Sequence, residues 1–460
     1  MNSIAIDLGA ESGRVFLGRL DADALSIEEI HRFPNRPIQS GAALRWDVGY
    51  IWDKIRTALS SPSLPKIASI GVDAWGVDYA LIDERGELLE NPFHYRDPRN
   101  PPAMDAALQI ISKEDIYRET GVQFMPINTL YQLYAAKLAN PELLTAARHM
   151  IMIPDLFHYW LGGTAVCEFT AATTTQFLNP ARRDWSRALL DRLGLPAQLP
   201  ARIVEPGTIL GFEQVTGAQV IAPASHDTAS AVAAISANGD TAFLSSGTWS
   251  LVGIELDAPV ISRDAMRMNF TNEGGVAGTT RLLKNVMGLW LLQGCRKRWS
   301  EQGRDFTHDE LIEAATHAKP LQHAIDPDDP SFLNPVDMLA AIDQFCKRTQ
   351  QPIPDSPGAY TRAILESLAR KYALVIRDLE TLTGRTIRNI RVVGGGSKNG
   401  LLNQLTANAT GKRVLAEPVE ASVLGNVGVQ MVALGELKSI ADLREAVDRS
   451  FPVQVYEPRL

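Results

Sequence analysis

Cysteine is scarce in this chain. Three residues among 460, Cys167, Cys295 and Cys346, stand without CxxC or CxxH spacing, which argues against a disulfide framework or a thiolate zinc site and leaves them as reduced thiols. Long runs of Lys and Arg are absent and the formal net charge is -8, so the electrostatic footprint of a nucleic-acid binder is missing. No unbroken apolar stretch is long enough to span a bilayer, and the opening residues carry Asp7, Glu11 and Arg14 in place of a basic export signal. The expectation is a soluble, cytoplasmic protein with small-molecule partners, no nucleic acid and no membrane. Two glycine signatures of nucleotide binding also fail. GxGxxG from Gly394 meets Asn399 where its last glycine should be, and the GK pair of Gly411 and Lys412 is followed by Arg413, with Thr406 in place of the first P-loop glycine. A nucleotide bound here needs another fold.

What the chain does have is apolar material, 45% of its residues, enough at this length for two cores. SIAIDLGAESGRVFLGRL reads as a β-hairpin, LSIEEIHRF as a third strand and IASIGVDAWGVDYALID as two more, with helical periodicity in between. Strands and helices alternate, the mark of an α/β domain. SANGD, ending at Asp240, breaks the pattern, and TAFLSSGTWSLVGIEL then reads as a second glycine-tipped hairpin. Ile364, Leu365, Leu368, Tyr372, Val375, Leu379 and Leu382 fall at helical spacing before Gly384, and IRVVGGG reads as a buried strand leading to another helix. The domain boundary is expected between residues 234 and 240, giving domains 1–236 and 237–460.

Several stretches carry chemistry. In DLGAESGR, Asp7 ends a strand and the turn that follows offers backbone N–H groups and a hydroxyl to phosphate oxygens, while Asp7 is the candidate magnesium residue. Ser246, Gly247 and Thr248 form a comparable tip in the second half. QVIAPA reads as a strand and TASAVAAI as a helix, so Asp227 falls at the strand end or the helix N-cap, and the small residues Ala229, Ala231, Ala233 and Ala234 suggest close backbone packing. Ser225, His226 and Asp227 are adjacent in sequence, which does not make a hydrolase triad. A carboxylate so placed suits acceptance of a proton from a hydroxyl that attacks a γ-phosphate. DPDDP at 326–330 lacks EF-hand spacing and is assigned no metal.

Together, DLGAESGR, GVDAWGVDYALID, HYRDPR, INTLYQL, ATTTQ, ASHDTASAV, LSSGTWSLVG, NFTNEGG, LKNVMGLWLLQ, VVGGGSKNGLLNQL and EASVLGNVGVQ resemble, in order and over nearly the whole chain, the FGGY carbohydrate kinases, and among them the branch that acts on L-rhamnulose. The resemblance implies two actin-like, ribonuclease H-like domains with ATP and a sugar in an interdomain cleft. It implies that Ala10, Glu11, Ser12, Gly13 and Arg14 form the ATP-phosphate loop, with Thr248, Gln293 and Gly395 as further ATP contacts. Asp227 is implied as proton acceptor, and Gly76, His226, Asp227, Thr228 and Asn285 as sugar contacts. Glu11 is the odd member, a second carboxylate in a loop meant for phosphates. Trp75, Asp78, Asp97, Asn128 and Gln132 read either as sugar-hydroxyl partners or as satisfied buried polar groups. The implied reaction is transfer of the γ-phosphoryl group of ATP to the 1-hydroxyl of L-rhamnulose with Mg²⁺, by a monomer or small homo-oligomer. Another ketose (L-fuculose, L-xylulose, D-ribulose) and a catalytically idle sensor are the rival readings.

Overall fold

The computed structural model describes residues 1–21, 24–237, 239–320 and 325–459; Asn238, within the SANGD break, lies outside them. The chain divides into two compact units that exchange segments. The first comprises Met1–Ser236, Glu255–Leu282 and Ala421–Phe451, the second Ala237–Ile254, Leu283–Glu420 and Pro452–Leu460.

In the first unit, β1 (Asn2–Leu8) and β2 (Ser12–Asp21) form the expected hairpin and β3 (Ala24–Pro34) follows it. β4 (Ser69–Ala74) lies parallel to β1, in register from Ser3–Ser69 to Leu8–Ala74. With β5 (Thr208–Phe212) and β6 (Gln219–Ala222), the sheet order is β5-β6-β4-β1-β2-β3. The two central strands are nearly continuous apolar runs because both faces are covered: Ile4, Ile6, Leu8, Ile70, Val72 and Ala74 are all fully buried. Helix α1 (Val48–Leu59) is N-capped by Asp47, whose carboxylate accepts from Tyr50 N at 2.9 Å. After β6, a short loop leads into α2 (Asp227–Ala233).

The second unit opens with the second hairpin, β7 (Thr241–Ser246) and β8 (Trp249–Leu256). The chain then returns to the first unit, where β9 (Thr271–Gly274) and the start of β10 (Thr280–Met287) are neighbours. Helix α3 (Trp290–Glu301) and the long α4 (Pro357–Thr383) follow in the second unit. Gly384 ends α4 in the left-handed conformation, φ 65°, as its place after the periodic run predicts. β11 (Asn389–Val393), α5 (Gly400–Thr410) and β12 (Arg413–Ala416) complete the βαβ segment, with β11 parallel to both β7 and β12. Helices α6 (Ala421–Ala433) and α7 (Ile440–Ser450) belong to the first unit, and β13 (Gln454–Tyr456) closes the second against β12. Each unit thus carries an antiparallel hairpin whose first strand is extended by a parallel neighbour, the repeat hinted at by the two glycine-tipped hairpins. The fold class is α/β.

Among the described residues no helix is long and apolar enough to cross a membrane. The three cysteines are free and buried. The acidic DPDDP turn is held by cations of its own unit: Lys371 lies 2.9 Å from Asp326 and 2.8 Å from Asp328, and Arg348 lies 2.6 Å from Asp329.

Candidate functional site

Parallel pairing of β1 and β4 sets Asp7 directly beside Asp73, near the C-terminal ends of both strands. Both side chains are buried, Asp73 completely. Burial first, and then the charge of Asp7, push the Asp73 carboxyl well above its ordinary range, against a 2.5 Å hydrogen bond from Asn426 Nδ2. Asp73 Oδ1 is buried without a donor. Asp7 accepts from Arg14 across the hairpin and from Ser422 Oγ at 3.3 Å. Ser422, Asn426 and Gln430 recur every fourth residue along α6, so one polar stripe of an otherwise apolar helix faces the strand pair; Gln430 Nε2 donates to Ile4 O at 2.9 Å.

The loop entering α2 brings the third carboxylate. Ala74 N donates to Ser225 O at 2.9 Å, which runs the loop alongside the end of β4. Buried Glu168 accepts from Ser225 N at 3.0 Å, and Thr170 Oγ1, itself bound to Glu168, accepts from His226 N at 3.1 Å. Asp227 is the first residue of the helix and His226 occupies the N-cap position, so Asp227 does not cap by its side chain. Its carboxylate is one-third exposed and accepts from the Thr228 backbone N–H and, at 3.1 Å, from Thr228 Oγ1. Burial raises its pKa, His226 lowers it and Asp7 raises it, which makes Asp227 more basic than a free aspartate. Asp7, Asp73 and Asp227 therefore sense one another's charge within one unit.

The small residues of α2 explain themselves in the packing: Ala229 and Ala233 form a buried cluster with Ala224, Val276 and Val429 of α6. In the first turn, Asn35 ties the loop down, its Nδ2 donating to Gly9 O at 2.8 Å and its backbone N–H to Glu11 O at 2.9 Å. Ala10 and Ser12 are half-buried, and Glu11 is exposed. Gly13 is required by packing, since a Cβ there would fall 2.2 Å from the Phe33 ring. Gly76 lies against Thr174 and precedes Val77, a β-branched residue at φ 67° whose strained turn is pinned by Thr174 Oγ1 at 3.0 Å. Asp78 resolves as a buried, satisfied group: it accepts from Trp46 Nε1 at 2.6 Å, Trp75 Nε1 at 2.9 Å, Gln132 Nε2 at 2.8 Å and Tyr95 N at 3.2 Å. Asp97 likewise holds Leu44 N at 2.7 Å, and Asn128 donates to Gln123 O at 2.7 Å.

The other candidates lie in the second unit. Thr248 sits at the β7–β8 tip, where its carbonyl accepts from Gly288 N at 3.1 Å, and Gln293 of α3 reaches its hydroxyl at 3.4 Å. Gly394, at φ 80°, starts the tight turn that carries Gly395, and this turn lies so close to β7 that a Cβ on Gly396 would be 2.0 Å from Ser246 Oγ. Gly395 itself faces open space, with nothing within 4 Å of an added Cβ. Asn285 stands half-buried in β10. Asp73, Glu168, Arg281 and Asn426 were not singled out from sequence. Asp73 had a readable signal, since GVDA repeats the apolar-Asp strand ending of AIDL.

Two family descriptions match the chain in succession: the N-terminal domain of the FGGY family of carbohydrate kinases over residues 3–241 and its C-terminal domain over 242–434. The rhamnulokinase of Bacteroides thetaiotaomicron is 43% identical, with 100% of this chain and 96% of that protein covered. The rhamnulokinase of Pectobacterium atrosepticum is 44% identical, with 100% and 93% covered. Among solved structures, a ligand-bound xylulose kinase from Lactobacillus acidophilus superposes with a TM-score of 0.81 at 19% identity, covering 100% of this chain and 94% of that one. The fold is the actin-like, ribonuclease H-like one, and with both domain descriptions matched in order the chain belongs to the FGGY family of carbohydrate kinases, enzymes that phosphorylate sugars with ATP.

Proposed function

We propose that this enzyme transfers the γ-phosphoryl group of ATP to the 1-hydroxyl of L-rhamnulose, giving L-rhamnulose 1-phosphate and ADP. The observation that carries the substrate is identity of 43–44% to curated rhamnulokinases over the whole chain; Asp227 carries the chemistry. Its carboxylate is accessible, rigidly held by Thr228, and made more basic by burial. It takes the proton of the 1-hydroxyl as the new O–P bond forms and the bond from the γ-phosphorus to the bridging oxygen of ADP breaks. Residues 1–236 supply this base, the first phosphate loop (Ala10 to Arg14) and the sugar contacts Gly76, His226 and Thr228. Residues 237–460 supply Thr248, Gln293 and Gly395 to the nucleotide and Asn285 to the sugar.

The acidic pair fits a divalent cation carried in by the phosphates. Asp73 Oδ1 is buried without a donor and two like charges adjoin it, while among the described residues no three His, Cys, Asp or Glu side chains form a metal cage of their own. Asp7 and Asp73 would hold Mg²⁺ through its water shell, and the ion would supply charge neutralisation to the phosphates. Arg14, which pairs with Asp7 here, would offer its guanidinium to a phosphate oxygen beside that site.

The experiment is ADP release by the purified protein with Mg²⁺ and ATP across L-rhamnulose, L-fuculose, L-xylulose, D-ribulose and a no-sugar control. Turnover highest with L-rhamnulose is expected. Faster turnover with another ketose would reassign the substrate, and ATP binding without turnover of any sugar would overturn the kinase reading.

A further inference from the structure

Beside Asp227 stands a cation that the reaction as described does not use. Arg281, at the start of β10, is completely buried. A guanidinium is not buried without compensation, and four carboxylates face this one: burial works against its charge, while Glu273, Asp227, Glu168 and Glu255 sustain it. Its fork is fixed at two points, Nε donating to Gly274 O at 2.8 Å and Nη2 lying 3.2 Å from Glu273 Oε2. Nη2 also stands 3.2 Å from His226 Nδ1, in hydrogen-bonding geometry. On the other side of the ring, His226 Nε2 is 3.4 Å from Asp227 Oδ1.

Arginine has donors only. A hydrogen bond between Nη2 and Nδ1 therefore requires a lone pair on Nδ1, and a neutral imidazole then carries its proton on Nε2, the atom facing Asp227. Glu273 Oε2, 3.3 Å from the same Nδ1, would accept from the opposite tautomer, so the two buried residues compete for the ring. The Arg281 contact meets hydrogen-bond geometry, and it stands on a guanidinium anchored to the β9 backbone. We infer that Arg281 is a positioning residue: it fixes the Nε2–H tautomer of His226, and that N–H holds Oδ1 of Asp227, leaving Oδ2 to the sugar hydroxyl. Glu273 serves as the counter-ion of Arg281. The inference rests on Asp227 being the base proposed above.

The test is nitrogen NMR of the full-length protein labelled with ¹⁵N-histidine, at pH 7.5, with the His226 signals assigned by their loss in His226→Gln. Expected is a ring protonated at Nε2 and bare at Nδ1. In Arg281→Gln, the proton is expected to move at least partly to Nδ1, with kcat down about 10- to 100-fold, less than removal of the base itself, and the KM for ATP unchanged. A wild-type ring protonated at Nδ1, or at both nitrogens, overturns the inference. So does a folded Arg281→Gln protein with wild-type kcat. If Arg281→Gln does not fold, the wild-type spectrum decides alone. The spectrum is read without substrate, so an active enzyme with an Nδ1–H ring refutes only this relay, whereas an Nε2–H ring without ADP release refutes only the kinase reading.

Discussion

Gly425 offers a sharp test of how the Asp227 helix is held. A Cβ built on Gly425 of α6 would fall 1.7 Å from the Ser230 carbonyl oxygen of α2, half the 3.4 Å at which ordinary contact begins. The obstacle is backbone, so no rotamer change relieves it. Nor can α6 withdraw. On its sheet side, a Cβ on Gly18 would already lie 2.5 Å from Val427 and one on Gly71 2.8 Å from Asn426 Oδ1; toward α7, a Cβ on Gly428 would meet Leu443 at 2.1 Å. Gly425→Ala must therefore push α2, the helix that begins at Asp227. Overpacking of this kind costs about 3 kcal/mol, and the gain of about 1 kcal/mol in helix propensity offsets a third of it, for a net loss of about 2 kcal/mol. At roughly 2 °C per kcal/mol for domains of this size, the melting temperature falls about 4 °C. A displacement of about 1 Å at the reacting groups costs on the order of 10²-fold in turnover. Calorimetry and the ADP-release assay measure both. Gly49→Ala in α1 is the control, because its nearest neighbour, Asp47 Oδ1, is 3.6 Å from the new Cβ, and it should gain up to about 1 kcal/mol. Wild-type melting and turnover in Gly425→Ala would refute the reasoning.

Asp227→Ala should lower kcat by about 10²-fold or more with the KM for ATP little changed; near wild-type turnover would remove it from the mechanism. Asp7→Asn should raise the Mg²⁺ concentration for half-maximal rate at least about 10-fold, and an unchanged Mg²⁺ titration would place the ion elsewhere. Asp78 predicts a pH effect on stability. Burial raises its pKa from 3.8 to about 7, against the hydrogen bonds from Trp46, Gln132 and Trp75, so the folded state holds this proton more tightly than the unfolded chain does. The resulting stabilisation, on the order of 4 kcal/mol, is complete below pH 4 and is lost as pH rises through 7. Melting temperatures of the wild type should fall more steeply than those of Asp78→Asn between pH 4 and 7, and parallel curves would contradict the assignment.

The parts of this molecule that were legible in its sequence are those set by local chemistry. Apolar runs, glycine turns and helical spacing marked both hairpins, α4 and the β11–α5–β12 segment, because period and turn residues report backbone conformation directly. What stayed hidden depends on pairings distant in sequence. Asp73 gains its meaning only from the parallel register that sets it beside Asp7, and Asn426 only from the folding of α6 back onto those strands, 353 residues further along. Asp78 shows the converse. Read alone, it suited a sugar partner as well as a core group, and the four donors gathered around it decide for the core. Glu11 is exposed in a loop tethered by Asn35, an exposure that no local rule in the sequence indicates. The small residues of α2 mark close packing, which the cluster of Ala229 and Ala233 with Val429 bears out, but the sequence does not show the partner. It is α6, whose own glycines accept that packing, so the position of Asp227 is specified as much by Gly425 as by the ASHDTASAV segment that contains it.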